Sequence, residues 1–215
     1  MQITINGIVC ECEKDETILA VARRNDIFIP KMCYHDKYPG EGACRLCVVE
    51  VTDNGWTKVV ASCIYPVTHE VSVSTDTEKI RKYRRLILTF MQRRAPQSKL
   101  LEKMCREYDV PDYSLRSIKK GKCILCGLCV RACKKINISA ISMVKRGTGK
   151  KVSTPYDEPS SVCIGCGACA RVCPTGAISI TETDTSKIIW GKEFPKKKTK
   201  KAEKGDSDIE INLKE

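Results

Sequence analysis

The chain has 215 residues, room for one or two compact units and too few for a large enzyme core. Apolar residues reach 42% only by counting 15 cysteines, and aromatic residues are 6%, so conventional packing is thin and disulfides or metals must help hold the chain together. The formal net charge is +12, yet 14 Lys or Arg against four acids between Lys79 and Lys122 account for +10 of it, so the basicity belongs to one stretch.

The chain opens as a strand, Ile3 and Ile5 alternating with polar residues, then Asn6-Gly7, a two-residue hairpin signal, and a return strand Ile8-Val9-Cys10-Glu11-Cys12. Asp15 or Thr17 caps a helix whose apolar side is Ile18, Leu19, Val21 and Ala22, and Phe28-Ile29-Pro30 ends that unit. A second hairpin turns at Asp53-Asn54-Gly55 between Val48–Val51 and Trp56–Ala61, and Glu70–Val73 alternates as a last strand. Hairpin, helix and further strands predict a β-grasp domain over 1–75.

From Asp76 the spacing becomes helical, with Ile80, Tyr83, Ile87 and Met91 on one face and Lys79, Arg81, Lys82, Arg84 and Arg85 on the others. Pro96 interrupts it, and Ser98 caps a second short helix carrying Leu100, Leu101 and Met104. Residues 76–117 thus read as a basic helical linker and spacer, 118–183 as a duplicated cysteine-rich unit, and 184–215 as a charged tail, flexible or docked on a partner, with too few apolar residues to fold alone. No run suits a secretory signal or a membrane span, which makes a cytoplasmic protein the expectation. In a reducing compartment 15 thiols read as metal ligands, not as a disulfide framework.

The strongest signal is Cys123-Ile-Leu-Cys126-Gly-Leu-Cys129-Val-Arg-Ala-Cys133, repeated as Cys163-Ile-Gly-Cys166-Gly-Ala-Cys169-Ala-Arg-Val-Cys173-Pro174. Both are C-x2-C-x2-C-x3-C, the run that binds [4Fe-4S] cubanes in bacterial two-cluster ferredoxins, where the fourth cysteine ligates the other cluster. The expected sets are therefore Cys123, Cys126, Cys129 and Cys173 for one cube, and Cys163, Cys166, Cys169 and Cys133 for the other. Structural zinc is the alternative, and two four-fold copies of the cubane run weigh against it. A third set, Cys33, Cys44, Cys47 and Cys63, suits a [2Fe-2S] rhomb, with Gly40, Gly42 and Ala43 as a small-residue loop passing close over it. Twelve cysteines are then ligands. Cys10, Cys12 and Cys105 read as packing residues, and His35 and His69 as ordinary surface residues.

Pro30-Lys31-Met32-Cys33-Tyr34-His35, Gly42-Ala43-Cys44-Arg45-Leu46-Cys47-Val48-Val49-Glu50-Val51 and Ala61-Ser62-Cys63 resemble the [2Fe-2S] domain of NADH dehydrogenase large iron-sulfur subunits, iron-only hydrogenases and the diaphorase small subunit of NAD-reducing hydrogenases. The second half, including Arg146-Gly147-Thr148-Gly149 and Cys173-Pro174-Thr175-Gly176-Ala177-Ile178, resembles the dicluster domain of the same proteins. The resemblance covers about residues 1–183. It implies an α+β architecture: a β-grasp [2Fe-2S] ferredoxin-like domain, a helical linker and a bacterial dicluster ferredoxin-like domain. It also implies an electron-transfer subunit carrying one [2Fe-2S] and two [4Fe-4S] clusters. The implied partners are a flavin-containing NAD(P)H-oxidising subunit, further iron-sulfur or catalytic subunits, and ferredoxin, within an anaerobic complex of hydrogenase, formate dehydrogenase or electron-bifurcating type.

The family carries a further [4Fe-4S] site between these modules, spaced H-x3-C-x2-C-x5-C. Here Ala95-Pro96 stands where the family has His-Pro, and Cys105 is the only cysteine between Cys63 and Cys123. The expectation is that this site is missing and that a gap separates the [2Fe-2S] centre from the cubanes. No catalytic triad, phosphate loop or dinucleotide fingerprint is present, so no substrate-converting site is expected. The remaining alternatives are a free polyferredoxin, which would tend to be shorter and acidic, and a zinc-dependent nucleic-acid binder. Cluster charge weakens the second. At about −2 per site, three sites lower +12 to about +6, and the reading is no nucleic acid.

Overall fold

A computed structural model of the chain describes residues 1–38, 40–111 and 121–195. The expectations for 112–120, where the linker meets the cysteine-rich unit, and for 196–215, most of the charged tail, lie outside them.

Strands β1 (Gln2–Ile5) and β2 (Ile8–Glu11) pair antiparallel, with Ile3 opposite Cys10. Asn6 and Gly7 between them have φ of 51° and 84°, the left-handed pair that a type I′ turn requires. Helix α1 (Ile18–Arg24) begins at Thr17, whose Oγ1 accepts from Ala20 N at 3.3 Å, and it buries Ile18, Leu19, Val21 and Ala22. Strands β3 (Val48–Asp53) and β4 (Trp56–Ala61) form the second hairpin about Asn54-Gly55. Strand β5 (Ser72–Ser74) lies between β1 and β3, parallel to the first and antiparallel to the second, giving the order β2-β1-β5-β3-β4. Ile3, Ile5, Val49, Val51 and Val73 share one core with the buried side of α1, the ferredoxin-like arrangement expected. Cys10 and Cys12 are buried in it.

Helix α2 (Glu78–Arg94) starts at Thr77 and α3 (Lys99–Glu107) at Ser98, each cap oxygen accepting a backbone N–H three residues on. Leu101 and Met104 of α3 are buried as the spacing predicts. On α2 the packed side is Ile80, Arg84 and Leu88, while Tyr83, expected there, is 44% exposed. Arg84 is drawn inward because Nε and Nη2 donate to the carbonyls of Leu46 and Val48 at 3.3 and 3.0 Å. A buried guanidinium is tolerable when its donors are met in this way. The other end of α2 is held to the second domain by Arg94, which donates to the carbonyls of Thr148 and Lys150. Met32 and Leu46, Leu88 and Leu101, and Leu128 therefore lie in one core drawn from all three segments, so the helices join the domains by packing.

The second domain holds α4 (Leu128–Lys135), β6 (Ser142–Val144), β7 (Lys151–Ser153) and α5 (Ala168–Arg171). It continues into a small sheet of β8 (Thr181–Glu182), β9 (Ser186–Ile189) and β10 (Lys192–Pro195) in the order β10-β9-β8. The sequence reading starts the charged tail at 184, and here the structure differs: 186–195 form a hairpin whose Ile189 is 2% exposed among Ala140 and Ile141.

Candidate metal centres

Cys33 comes from the segment after α1, Cys44 and Cys47 from the loop that leads into β3, and Cys63 from the turn that follows β4, and all four are buried. Their thiols run as a chain, Cys44 to Cys33 to Cys63 to Cys47. The neighbouring thiols of Cys44 and Cys63, with the N–H groups of Cys44 and Ala43, hold the Cys33 thiol far below the usual range. Contact with Cys63 lowers Cys47 to about 6, and the same contacts push Cys44 and Cys63 up. Cys44 N lies 3.4 Å from Cys33 Sγ. The loop before Cys44 passes so close that a Cβ on Gly40 would lie 2.3 Å from Cys63 O, and one on Gly42 2.7 Å from Ile64 Cδ1. At Gly40, where the atom met is backbone, only glycine admits that approach, and at Gly42 a φ of 58° favours glycine as well.

In the second domain two cavities divide the cysteines across the two motifs. Cys123, Cys126, Cys129 and Cys173 line one, of about 280 Å³, and Cys133, Cys163, Cys166 and Cys169 line the other, which is narrower. Gly127 and Gly167, with φ of 77° and 76°, end the tight turns and start α4, which carries Cys129 and Cys133, and α5, which carries Cys169 with Cys173 just beyond its end. Backbone N–H groups point at sulfur: Ala140 N to Cys133 Sγ and Ala177 N to Cys173 Sγ, both 3.2 Å, and Leu125 N to Cys123 Sγ, 3.5 Å. Burial pushes Cys126 up to about 11 and Cys129 to about 12, and raises Cys169. Such thiols lose their protons to a metal far more readily than to water.

Among the described residues no three His, Cys, Asp or Glu side chains close on a point as a single metal ion demands. The thiols of the first set form a chain, and those of the other two line cavity walls. Four thiols per set, all buried in the first and two buried with two half-buried in each of the others, with N–H groups directed at sulfur, fit the donor set of an iron-sulfur cluster. His35 instead accepts Lys37 N at Nδ1, and His69 pairs with Asp53. Cys105 packs at the edge of the core shared by the helices.

The expected gap between the first set and the others is not what the structure contains. Cys33, Cys44 and Cys126 lie in the same buried cluster, and Arg131 of α4 donates from Nη2 to the carbonyls of both Cys33 and Cys126. Periodicity and spacing carry no signal for this contact, because it joins segments remote in the chain. Trp190 was also missed, though it lines both cavities of the second domain.

Residues 1–78 match the 2Fe-2S iron-sulfur cluster binding domain, and residues 122–177 the 4Fe-4S dicluster domain. The chain is 26% identical over 204 residues to the NADH-ubiquinone oxidoreductase 75 kDa subunit of Reclinomonas americana, covering 83% of this chain and 29% of that protein. It is 29% identical over 206 residues to the NADPH-Fe(3+) oxidoreductase subunit alpha of Geobacter sulfurreducens, covering 83% of this chain and 24% of that protein. In both cases it spans less than a third of the relative's length. A chain of an NAD+-reducing [NiFe]-hydrogenase in the H2-reduced state has the same fold, with a TM-score of 0.71, 24% identity, and coverage of 82% of this chain and 85% of that one. No helix of the described residues is long and apolar enough to cross a membrane. The chain thus carries a 2Fe-2S iron-sulfur cluster binding domain over 1–78 and a 4Fe-4S dicluster domain over 122–177, and it is homologous to the 75 kDa subunits of NADH-ubiquinone oxidoreductases.

Proposed function

We propose that this chain is an iron-sulfur electron-transfer subunit of a multi-subunit NAD(P)H-linked, flavin-containing oxidoreductase. In this reading residues 1–75 hold one [2Fe-2S] cluster on Cys33, Cys44, Cys47 and Cys63. Residues 118–183 hold two [4Fe-4S] clusters, one on Cys123, Cys126, Cys129 and Cys173 and one on Cys133, Cys163, Cys166 and Cys169. Clusters bound there take up and release single electrons. The chain supplies thiolates, directs N–H groups at sulfur, and keeps water from the sites by burying most of the ligands.

The observation that carries the reading is the exchange of Cys133 and Cys173 between the two cavities, the arrangement a two-cluster ferredoxin unit needs. The NADH- and NADPH-linked relatives support a place in an NAD(P)H-linked oxidoreductase. The flavin-containing NAD(P)H-oxidising partner, the further iron-sulfur or catalytic subunits, ferredoxin, and a complex of hydrogenase, formate dehydrogenase or electron-bifurcating type are the finer part of this proposal. Arg84, buried on the linker, does not serve the docking surface expected of that stretch, whereas Arg81, exposed and paired with exposed Asp76, remains available to an acidic partner. Iron and sulfide analysis with EPR on anaerobically purified protein tests the cluster content, with one [2Fe-2S] and two [4Fe-4S] signals expected. Stoichiometric zinc with little sulfide overturns it. Co-purification of a flavoprotein under the same conditions tests the partner.

A further inference from the structure

Three hairpins among the described residues turn through two left-handed residues: Asn6-Gly7, Asn54-Gly55 and Trp190-Gly191. Asparagine is the usual first residue of such a turn. Trp190, with φ of 54°, is a bulky side chain in a conformation its own Cβ disfavours, and such outliers persist only where the surroundings hold them. Here the hairpin is clamped onto the loop of the second cysteine motif. Lys192 Nζ donates to the carbonyls of Ser160, Ser161 and Cys163 at 3.3, 3.1 and 3.2 Å. The Phe194 ring lies where a Cβ on Gly165 would stand, 2.4 Å from its Cγ.

The strained turn puts the indole between the two four-cysteine cavities, both of which it lines. Trp190 Nε1 is buried and has no acceptor in good hydrogen-bonding geometry. It nevertheless faces the Cys169 thiol closely enough to favour the thiolate there. An indole N–H buried among thiols without a settled acceptor is costly unless something more negative than a thiol arrives.

We propose that the hairpin 186–195 is the cover of the second cluster site, and that Trp190 is a positioning residue whose indole N–H is held for the sulfur of that site. This rests on the two-cubane reading above. A hydrogen bond to cluster sulfur stabilises the more negative, reduced state and so raises the potential of that cube.

Trp190→Phe keeps the ring and removes the donor. In EPR-monitored redox titrations of the anaerobic holoprotein, both cubanes are retained and one becomes harder to reduce by about tenfold, about 59 mV for one electron. The other cube and the [2Fe-2S] centre do not move. Cys169→Ser, which alters the signal of the cube it ligates, identifies the shifted signal. Unchanged potentials at full cluster content overturn the proposal, as does a shift confined to the cube that Cys169→Ser leaves unaltered. Trp190→Asn, better suited to the turn, preserves the hairpin but removes the indole altogether. Its second cube is then lost faster on exposure to ferricyanide, and a rate equal to that of the unaltered protein overturns the covering role. If the unaltered protein lacks sulfide-bearing cubanes, the functional reading fails first, and by a separate measurement.

Discussion

The two cysteine motifs, 123–133 and 163–173, share their spacing, a left-handed glycine before the helix, and an arginine five residues after the second cysteine. Arg131 and Arg171 each donate to the carbonyl of that cysteine, Cys126 at 3.5 Å and Cys166 at 3.3 Å. Their surroundings diverge. Arg131 reaches on to the Cys33 carbonyl and lies 3.5 Å from Glu41, and Ile124 packs into the core shared with the first domain. Arg171 is exposed, the equivalent Ile164 is 58% exposed, and the C-terminal hairpin lies over the loop instead. Duplication thus fixes ligand geometry twice, while the added segments turn one copy toward the [2Fe-2S] domain and leave the other under a cover at the surface.

The largest effect tests the crossing itself. Cys173→Ala removes a thiol from the cavity of Cys123, Cys126 and Cys129, so the first cubane is expected to be lost or degraded while that of Cys163, Cys166 and Cys169 survives. EPR and iron content read the outcome, and damage confined to the second cubane contradicts the pairing. A smaller effect separates the two arginines. Arg131→Ala gives up charge-assisted bonds to carbonyls of both domains and is expected to cost about 2–3 kcal/mol in denaturant unfolding. Arg171→Ala, at an exposed position, is expected to cost under about 0.5 kcal/mol. Equal costs would mean that Arg131 does not hold the halves together.

What the sequence made legible follows from the range of each interaction. Asn6-Gly7 and Asn54-Gly55 announce their turns because the required backbone is a property of those residues, and Thr17 and Ser98 announce their helices for the same reason. The cysteine spacing grouped the residues that the structure brings to each cavity. Trp190-Gly191 carries no turn signal, since an indole in that place is against local preference and is held by Lys192 and Phe194 across the fold. Arg84 is similarly opaque: a helical pattern counts it as solvated, and only the carbonyls of Leu46 and Val48, contributed by the other domain element, explain its burial. The meeting of Cys33 with Cys126 was not legible, because no local pattern encodes a contact between distant segments.

A further expected effect, smaller than those of Cys173→Ala and Arg131→Ala, concerns the one position at which the two loops differ by necessity. Leu125 and Gly165 precede the second cysteine of each motif, and both are left-handed, with φ of 57° and 67°. The backbone therefore does not demand glycine at 165, since leucine serves in the same conformation at 125. The Phe194 ring does, because all three of its nearest carbons stand 2.4 to 2.7 Å from where a Cβ would be. Gly165→Ala is expected to cost about 1–2 kcal/mol by forcing that ring, and the hairpin with it, off the loop. In a Phe194→Ala background the clash disappears and the same substitution should cost measurably less, a favourable coupling of about 1 kcal/mol in a double-mutant cycle. Leu125→Ala in either background serves as the control and should show no coupling to Phe194. If Gly165→Ala costs the same with and without the phenyl ring, glycine is required there by the loop's own backbone, and the contrast between an inward-packed and a covered copy loses its steric basis.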